Sequence, residues 1–187
     1  MIKFGETWSE LSETGRKVVT RRMDFDSIPE QIAFLRQMIQ VYAGTAWAKE
    51  TALRIIREAD CPARNHACYA MAIAEAVQKR IRYIREYPET FQTPPRTWEI
   101  RAGDCDDFTT TEGTLLETLG IRNEVVGMKI SGKWRHVFLR ALIEVPGRRG
   151  LRRMPLDATL RNTPVRQMAN PITRSLARGL KVETFVV

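Results

Sequence analysis

Cysteine is scarce in this chain: Cys61, Cys68 and Cys105 are the only three among 187 residues. Three is too few, and odd, for the disulfide framework that staples small secreted folds, so the count predicts a reducing compartment, the cytoplasm. Long apolar runs are also missing. No stretch approaches the roughly 18 residues of a membrane-spanning helix, which excludes a helical membrane protein. The opening MIKFGETWSELSETGRK contains no apolar h-region, and no secretory leader is expected. Histidine is limited to His66 and His136, which confines any search for an imidazole base to two positions. Internal repeats and low-complexity tracts are lacking.

What is present is the composition of an ordinary globular protein, with 43% hydrophobic and 28% charged residues, at a length that suits one domain with a real core. The net charge of +8 is unevenly placed. From Pro146 to Val187, nine Lys/Arg stand against two acids, Asp157 and Glu183, a net of +7. Nucleic-acid binding would ask for aromatics among those arginines, and the segment has only Phe185. Nucleic acid is therefore not the expected partner. A basic segment that docks on an acidic partner is.

The first ~25 residues lack a clear period and predict an extended or partly ordered arm. DSIPEQIAFLRQMIQVYAG reads as a helix, with Ser27 as cap, Pro29 in the first turn and Gly44 as stop. TAWAKETALRIIREA continues as a second helix with Trp47, Leu53 and Ile56 as core candidates, broken by Pro62. A third helix is expected from about Asn65 to Glu86. Pro88, Pro94 and Pro95 predict a loop after it. A fourth helix follows Cys105, burying Phe108, Leu115, Leu116 and Leu119 and stopping at Gly120. The period then changes to alternation. NEVVGMKI and WRHVFLRALIEV read as strands joined by the turn SGK, with MPLDATL as a short third strand that Pro155 confines to an edge. Helices followed by a meandering antiparallel sheet make the fold class α+β.

Cys105 stands among Asp104, Asp106 and Asp107 where loop gives way to helix. It can be a nucleophile, a metal ligand or a small buried residue. A thiol attacks as thiolate, and a helix N-terminus helps by offering unpaired N–H groups. The adjacent carboxylates oppose it, so an imidazole is also required. His136 opens the second strand. Asp157, in the neighbouring strand, can orient its ring. Cys61, His66 and Cys68 offer soft metal ligands, but no second ligand pair at finger-like spacing follows, and no metal is expected. Asp104, Asp106 and Asp107 as a nuclease cation site would leave the cysteine without a role, and three neighbouring acids are not expected to converge on one ion. Asp106 and Asp107 read as first-turn acids, with Asp107 also available to tie down the loop.

GDCDDFTTTEGTLLETLGI, HVFLRALIEV and PLDATL together resemble the core of a transglutaminase-like domain, within the papain-like cysteine peptidase superfamily. The resemblance covers about Met71 to Leu160 and divides the chain into an N-terminal arm and helical extension (1–64), a catalytic core (65–160) and a basic C-terminal segment (161–187). It implies a nucleophile helix packed on a small antiparallel sheet, with Cys105 as nucleophile, His136 as general base and acid, and Asp157 as orienter. It implies an oxyanion hole made by the Cys105 backbone N–H and a second donor, Tyr83 or Trp98. The spacer PGRRGLRRM lacks the tryptophan that many relatives carry before their Leu–Asp. The implied activity is acyl transfer on a protein or peptide substrate, with water as the favoured acceptor and no cofactor. Compact versions of this kind resemble proteins of bacteria and tailed phages, which would make the compartment a host cytoplasm. The competing expectation is a catalytically idle binding or structural module, such as a phage assembly protein, since a fold does not establish turnover.

Overall fold

The computed structural model describes residues 3–11, 17–85, 90–144, 149–160, 171–176 and 178–187. The N-terminal segment, expected to be an extended or partly ordered arm, is extended and paired. Strands β1 (Lys3–Leu11) and β2 (Lys17–Asp24) pair antiparallel as a hairpin. Ser27 then caps helix α1 (Ile28–Ala43), its hydroxyl accepting the Glu30 N–H at 3.3 Å. α1 turns Ile32, Leu35, Met38 and Ile39 inward. Helix α2 (Ala46–Glu58) buries Ala48, Thr51, Ala52 and Ile55. Trp47, Leu53 and Ile56, the expected core residues, are only partly buried, because the inward stripe is rotated from them.

Helix α3 (His66–Arg80) starts at Asn65, whose side chain accepts the Cys68 N–H at 3.0 Å. It ends six residues before the expected Glu86, because the chain there is extended. Strand β3 (Arg82–Tyr83) follows at once, and the Arg82 N–H donates to the Arg101 carbonyl at 2.8 Å. The proline-rich stretch expected to be loop contains helix α4 (Pro94–Ile100). Pro94 and Pro95 fill its first turn, where a missing N–H has no intrahelical partner to lose. Strand β4 (Ala102–Gly103) pairs in parallel with β3 and leads into helix α5 (Cys105–Thr118).

Strands β5 (Asn123–Ile130), β6 (Lys133–Glu144) and β7 (Leu151–Leu156) form the expected meander, with Pro155 on the edge strand β7. The C-terminal segment adds helix α6 (Pro171–Leu176) and strand β8 (Val182–Val186). β8 pairs antiparallel with β5, giving a four-stranded sheet in the order β7-β6-β5-β8. Much of the basic stretch, 161–170, lies outside the described residues, as does 145–148 of the spacer. The fold is α+β.

α5 is the centre. Every residue from Asp106 to Leu116 is buried. A Cβ on Gly113 would overlap Ile39, so glycine lets α1 and α5 approach. One apolar cluster joins Ile39 of α1, Ile73 and Val77 of α3, Leu115 and Leu116 of α5, and Leu139 of β6. Across the same interface Arg36 of α1 reaches Glu117 of α5 at 2.9 Å.

Two of the three cysteines are not free thiols. Cys61 and Cys68 form a disulfide, their Cα atoms 5.8 Å apart, between the end of α2 and the first turn of α3. The connection from α2 to α3 carries Asp60 and Arg64 at positive φ. Counting cysteines missed a pair that local geometry brings together, and the count no longer indicates a reducing compartment. Among the described residues, no helix is long and apolar enough to cross a membrane.

Candidate active site

The start of α5 is fastened on two sides. Asp104 is extended at the N-cap, and its Oδ1 accepts the Asp106 N–H at 3.3 Å. Asp107 closes the reciprocal bond, its Oδ2 accepting the Asp104 N–H at 3.3 Å. The same Asp107 carboxylate takes the Gln92 N–H at 2.9 Å and the Gln92 side-chain amide at 3.0 Å. Asp107 thus ties down the loop before α4, as its position suggests. Gly103 is required here, because a Cβ would stand 2.6 Å from Asp107 Oδ2. These bonds fix Cys105, half-buried, at the first position of α5.

Cys105 lines a cleft of about 980 Å³ together with His136, Tyr83, Asp104 and Asp106. His136 arrives from β6 beside a β-bulge. Met128 of β5 faces His136 while Lys129 faces Trp134, leaving Arg135 as the extra residue. The bulge breaks strand alternation, and four consecutive residues, Trp134 to Val137, line the cleft. The His136 ring stacks on Phe138, with centroids 6.1 Å apart and planes 15° apart.

His136 Nε2 lies 2.8 Å from Asp157 Oδ2. Asp157 is 3% exposed and follows directly on β7. Its other oxygen accepts the Thr159 hydroxyl at 2.6 Å and the Thr159 N–H at 3.2 Å. Burial pushes the Asp157 carboxyl up, but the His136 bond and charge, with Thr159, outweigh it, and the net shift is downward. Asp157 is therefore ionised at neutral pH.

Tyr83 lines the cleft, and its phenol is pushed up to about 12, by burial first and then by the charges of Cys105 and Asp104. Trp98, the other expected donor, is buried in the core cluster with the Arg80 guanidinium 4.5 Å over its ring, and it does not line the cleft. His66 lies at the start of α3, away from the cleft.

The carboxylate oxygens of Asp104, Asp106 and Asp107 lie within 4.8 Å of one another, closer than the sequence suggested. One oxygen of each accepts an N–H of the helix start. Asp106 Oδ1 accepts the Asp107 N–H at 2.8 Å, beside the Asp104 and Asp107 bonds above.

Sequence reasoning missed Glu112. It is fully buried on α5, its carboxyl pushed well up by burial and then by the Asp157 charge. Glu112 Oε1 has no hydrogen-bond partner among the described residues. Its signal was available: Glu112 stands four after Phe108 and three before Leu115, on the stripe read as buried. Thr159 lies within the PLDATL motif, and nothing in the sequence marks its two bonds to Asp157. Arg135 could not have been found, because a bulge leaves no mark in the alternation.

No family model matches the chain, and no curated protein matches it. Two of the solved structures that resemble it are as follows. A "putative protease" from Parabacteroides distasonis shares 12% identity at a TM-score of 0.50, over 76% of this chain and 36% of that one. The chain thus spans little more than a third of that protein's length. A "putative cysteine protease" from Cytophaga hutchinsonii shares 14% identity at a TM-score of 0.49, over 100% of this chain and 76% of that one. At such identity, the first likeness extends to the fold and no further.

Proposed function

We propose that this chain is a transglutaminase-like cysteine acyl-transfer enzyme that hydrolyses an amide or peptide bond through Cys105, His136 and Asp157. The observation that carries the reading is that His136, 2.8 Å from the buried Asp157, lines the same cleft as a cysteine at a capped helix start. Asp157 occupies Nε2 of the imidazole, which leaves Nδ1 for the thiol.

The chemistry runs in two halves. His136 takes the Cys105 proton, the thiolate attacks the carbonyl carbon, and a C–S bond forms as the carbonyl oxygen becomes an oxyanion. The Cys105 backbone N–H and the Tyr83 hydroxyl hold that oxyanion. Tyr83 keeps its proton far above neutral pH and so remains a donor. Protonated His136 gives its proton to the leaving nitrogen, and the C–N bond breaks. Water then loses a proton to His136, attacks the thioester carbon, and the C–S bond breaks. Asp157 stays ionised throughout and steadies the imidazolium. Against the thiolate stand Asp104 and Asp106. For it stand the helix N-terminus and the imidazole.

The test is digestion of a peptide mixture by the full chain in heavy-oxygen water, followed by mass spectrometry. New carboxyl termini carrying the heavy oxygen are expected with wild type and not with Cys105→Ala. Cleavage equal in both proteins, or in neither, would leave the chain an idle module of this fold.

A further inference from the structure

We propose that the cleft recognises a peptide in which a large apolar side chain neighbours an acidic one, with Arg85 and Arg135 reading the acid. This rests on the acyl-transfer reading of the same cleft. Its walls are mostly apolar: Ile28, Ile32 and Leu35 from α1, Phe91 from the loop before α4, and Trp134 and Val137 from β6. The α1 wall is supplied by the segment preceding the catalytic core, so the helical extension has a task at the site. Phe91 is held in place by Phe25 and Phe34, its ring 5.5 and 5.7 Å from theirs. A preformed apolar wall of this kind favours a bulky aliphatic or aromatic side chain.

The charge comes from two arginines that the backbone turns into the cleft. The Ile84 N–H donates to the Gly103 carbonyl at 2.9 Å, so the chain is still extended after β3 and Arg85 faces the same way as Tyr83. Arg135 is the extra residue of the β6 bulge and stands beside His136. Both arginines are exposed, and neither meets a carboxylate among the described residues. The acids of the same cleft, Asp104 and Asp106, are buried at the foot of α5 and accept backbone N–H groups. The rim therefore offers positive charge to an acidic side chain and repels lysine.

Full-chain Cys105→Ala binds without turning over, so recognition is measured apart from chemistry. The probes are acetylated, amidated peptides of one length that differ at two adjacent positions, carrying Leu–Glu, Leu–Lys or Ala–Glu, followed by fluorescence anisotropy. Leu–Glu should bind about tenfold tighter than Leu–Lys, since exposed charge pairs contribute a few-fold each. The gap should narrow as salt is added. Leu–Glu should also exceed Ala–Glu by about tenfold, from the apolar contact. Adding both Arg85→Glu and Arg135→Glu should invert the Glu/Lys order. Equal affinities, or an order that survives both charge reversals, would overturn the proposal. Wild-type turnover of the same peptides separates the two claims. Selective binding without turnover sinks the acyl-transfer reading alone, and turnover without selectivity sinks this one alone.

Discussion

Asp157 and Glu112 are both buried carboxyls, yet their pKa values shift in opposite directions because their surroundings differ. Asp157 has His136 and Thr159 as partners, so its net shift is downward from an ordinary 3.8. Glu112 has burial and a neighbouring negative charge, and both favour the neutral acid. Pushed toward the neutral acid, Glu112 adds less negative charge behind the His136–Asp157 pair than an ordinary carboxylate would. The two residues give stability opposite pH dependences. For Asp157 the folded value lies below the unfolded one, so its contribution is present above about 3.8 and is lost as pH falls below that. For Glu112 the folded value lies above the unfolded one, near 4.5. Above that pH the unfolded chain releases a proton that the folded chain keeps. Stability therefore declines with rising pH until the folded group also ionises, at a limiting slope of about 1.4 kcal/mol per pH unit. Glu112→Gln removes that term while keeping the shape. Denaturant unfolding of the variant between about pH 5 and 7 should show a flatter pH dependence than wild type, by up to that slope. Identical slopes would mean that Glu112 is ionised in the folded state.

At the scale of elements, the site depends on short pieces that sequence patterns describe poorly. α5 was legible because its cap, its stripe and its stop agree. The β5–β6–β7 meander was legible because alternation is the strand period. The two-residue strands β3 and β4 are too short to have a period, and α4 was hidden by prolines that break pairing but suit a first helical turn. These pieces hold the foot of α5 through Gly103 and Asp107. In Gly103→Ala the new methyl group would meet Asp107 Oδ2 at 2.6 Å and its Cβ at 2.7 Å, forcing apart the capping box and the Gln92 bonds. The expected cost is about 1–3 kcal/mol. For a chain of this size that lowers the Tm by about 2–4 °C per kcal/mol. Calorimetry that finds the variant as stable as wild type would show that the loop and helix start can shift without loss.

At the scale of the whole molecule, the proposed chemistry needs three side chains far apart in the chain to converge. Cys105 comes from the start of α5, His136 from the bulge of β6 and Asp157 from the end of β7. Their order was readable in three motifs, and the His136–Asp157 bond agrees with the expected neighbouring strands. What the sequence hid was long-range. β8 completes the sheet beside β5 from a segment read only for its charge, and α1 walls the cleft from a segment read as an extension. Both contacts depend on how elements dock, which local patterns do not encode. The central claim is that this docking activates one thiol, and the rate of Cys105 alkylation against pH tests it most directly. Iodoacetamide labelling of the native protein, followed by peptide mass spectrometry, should give an apparent pKa below the ~8.5 of an ordinary cysteine. His136→Ala should slow labelling at neutral pH by about tenfold or more, and Asp157→Ala should slow it less, because it misorients the base without removing it. A Cys105 that labels like an ordinary thiol and is indifferent to His136→Ala would contradict the account.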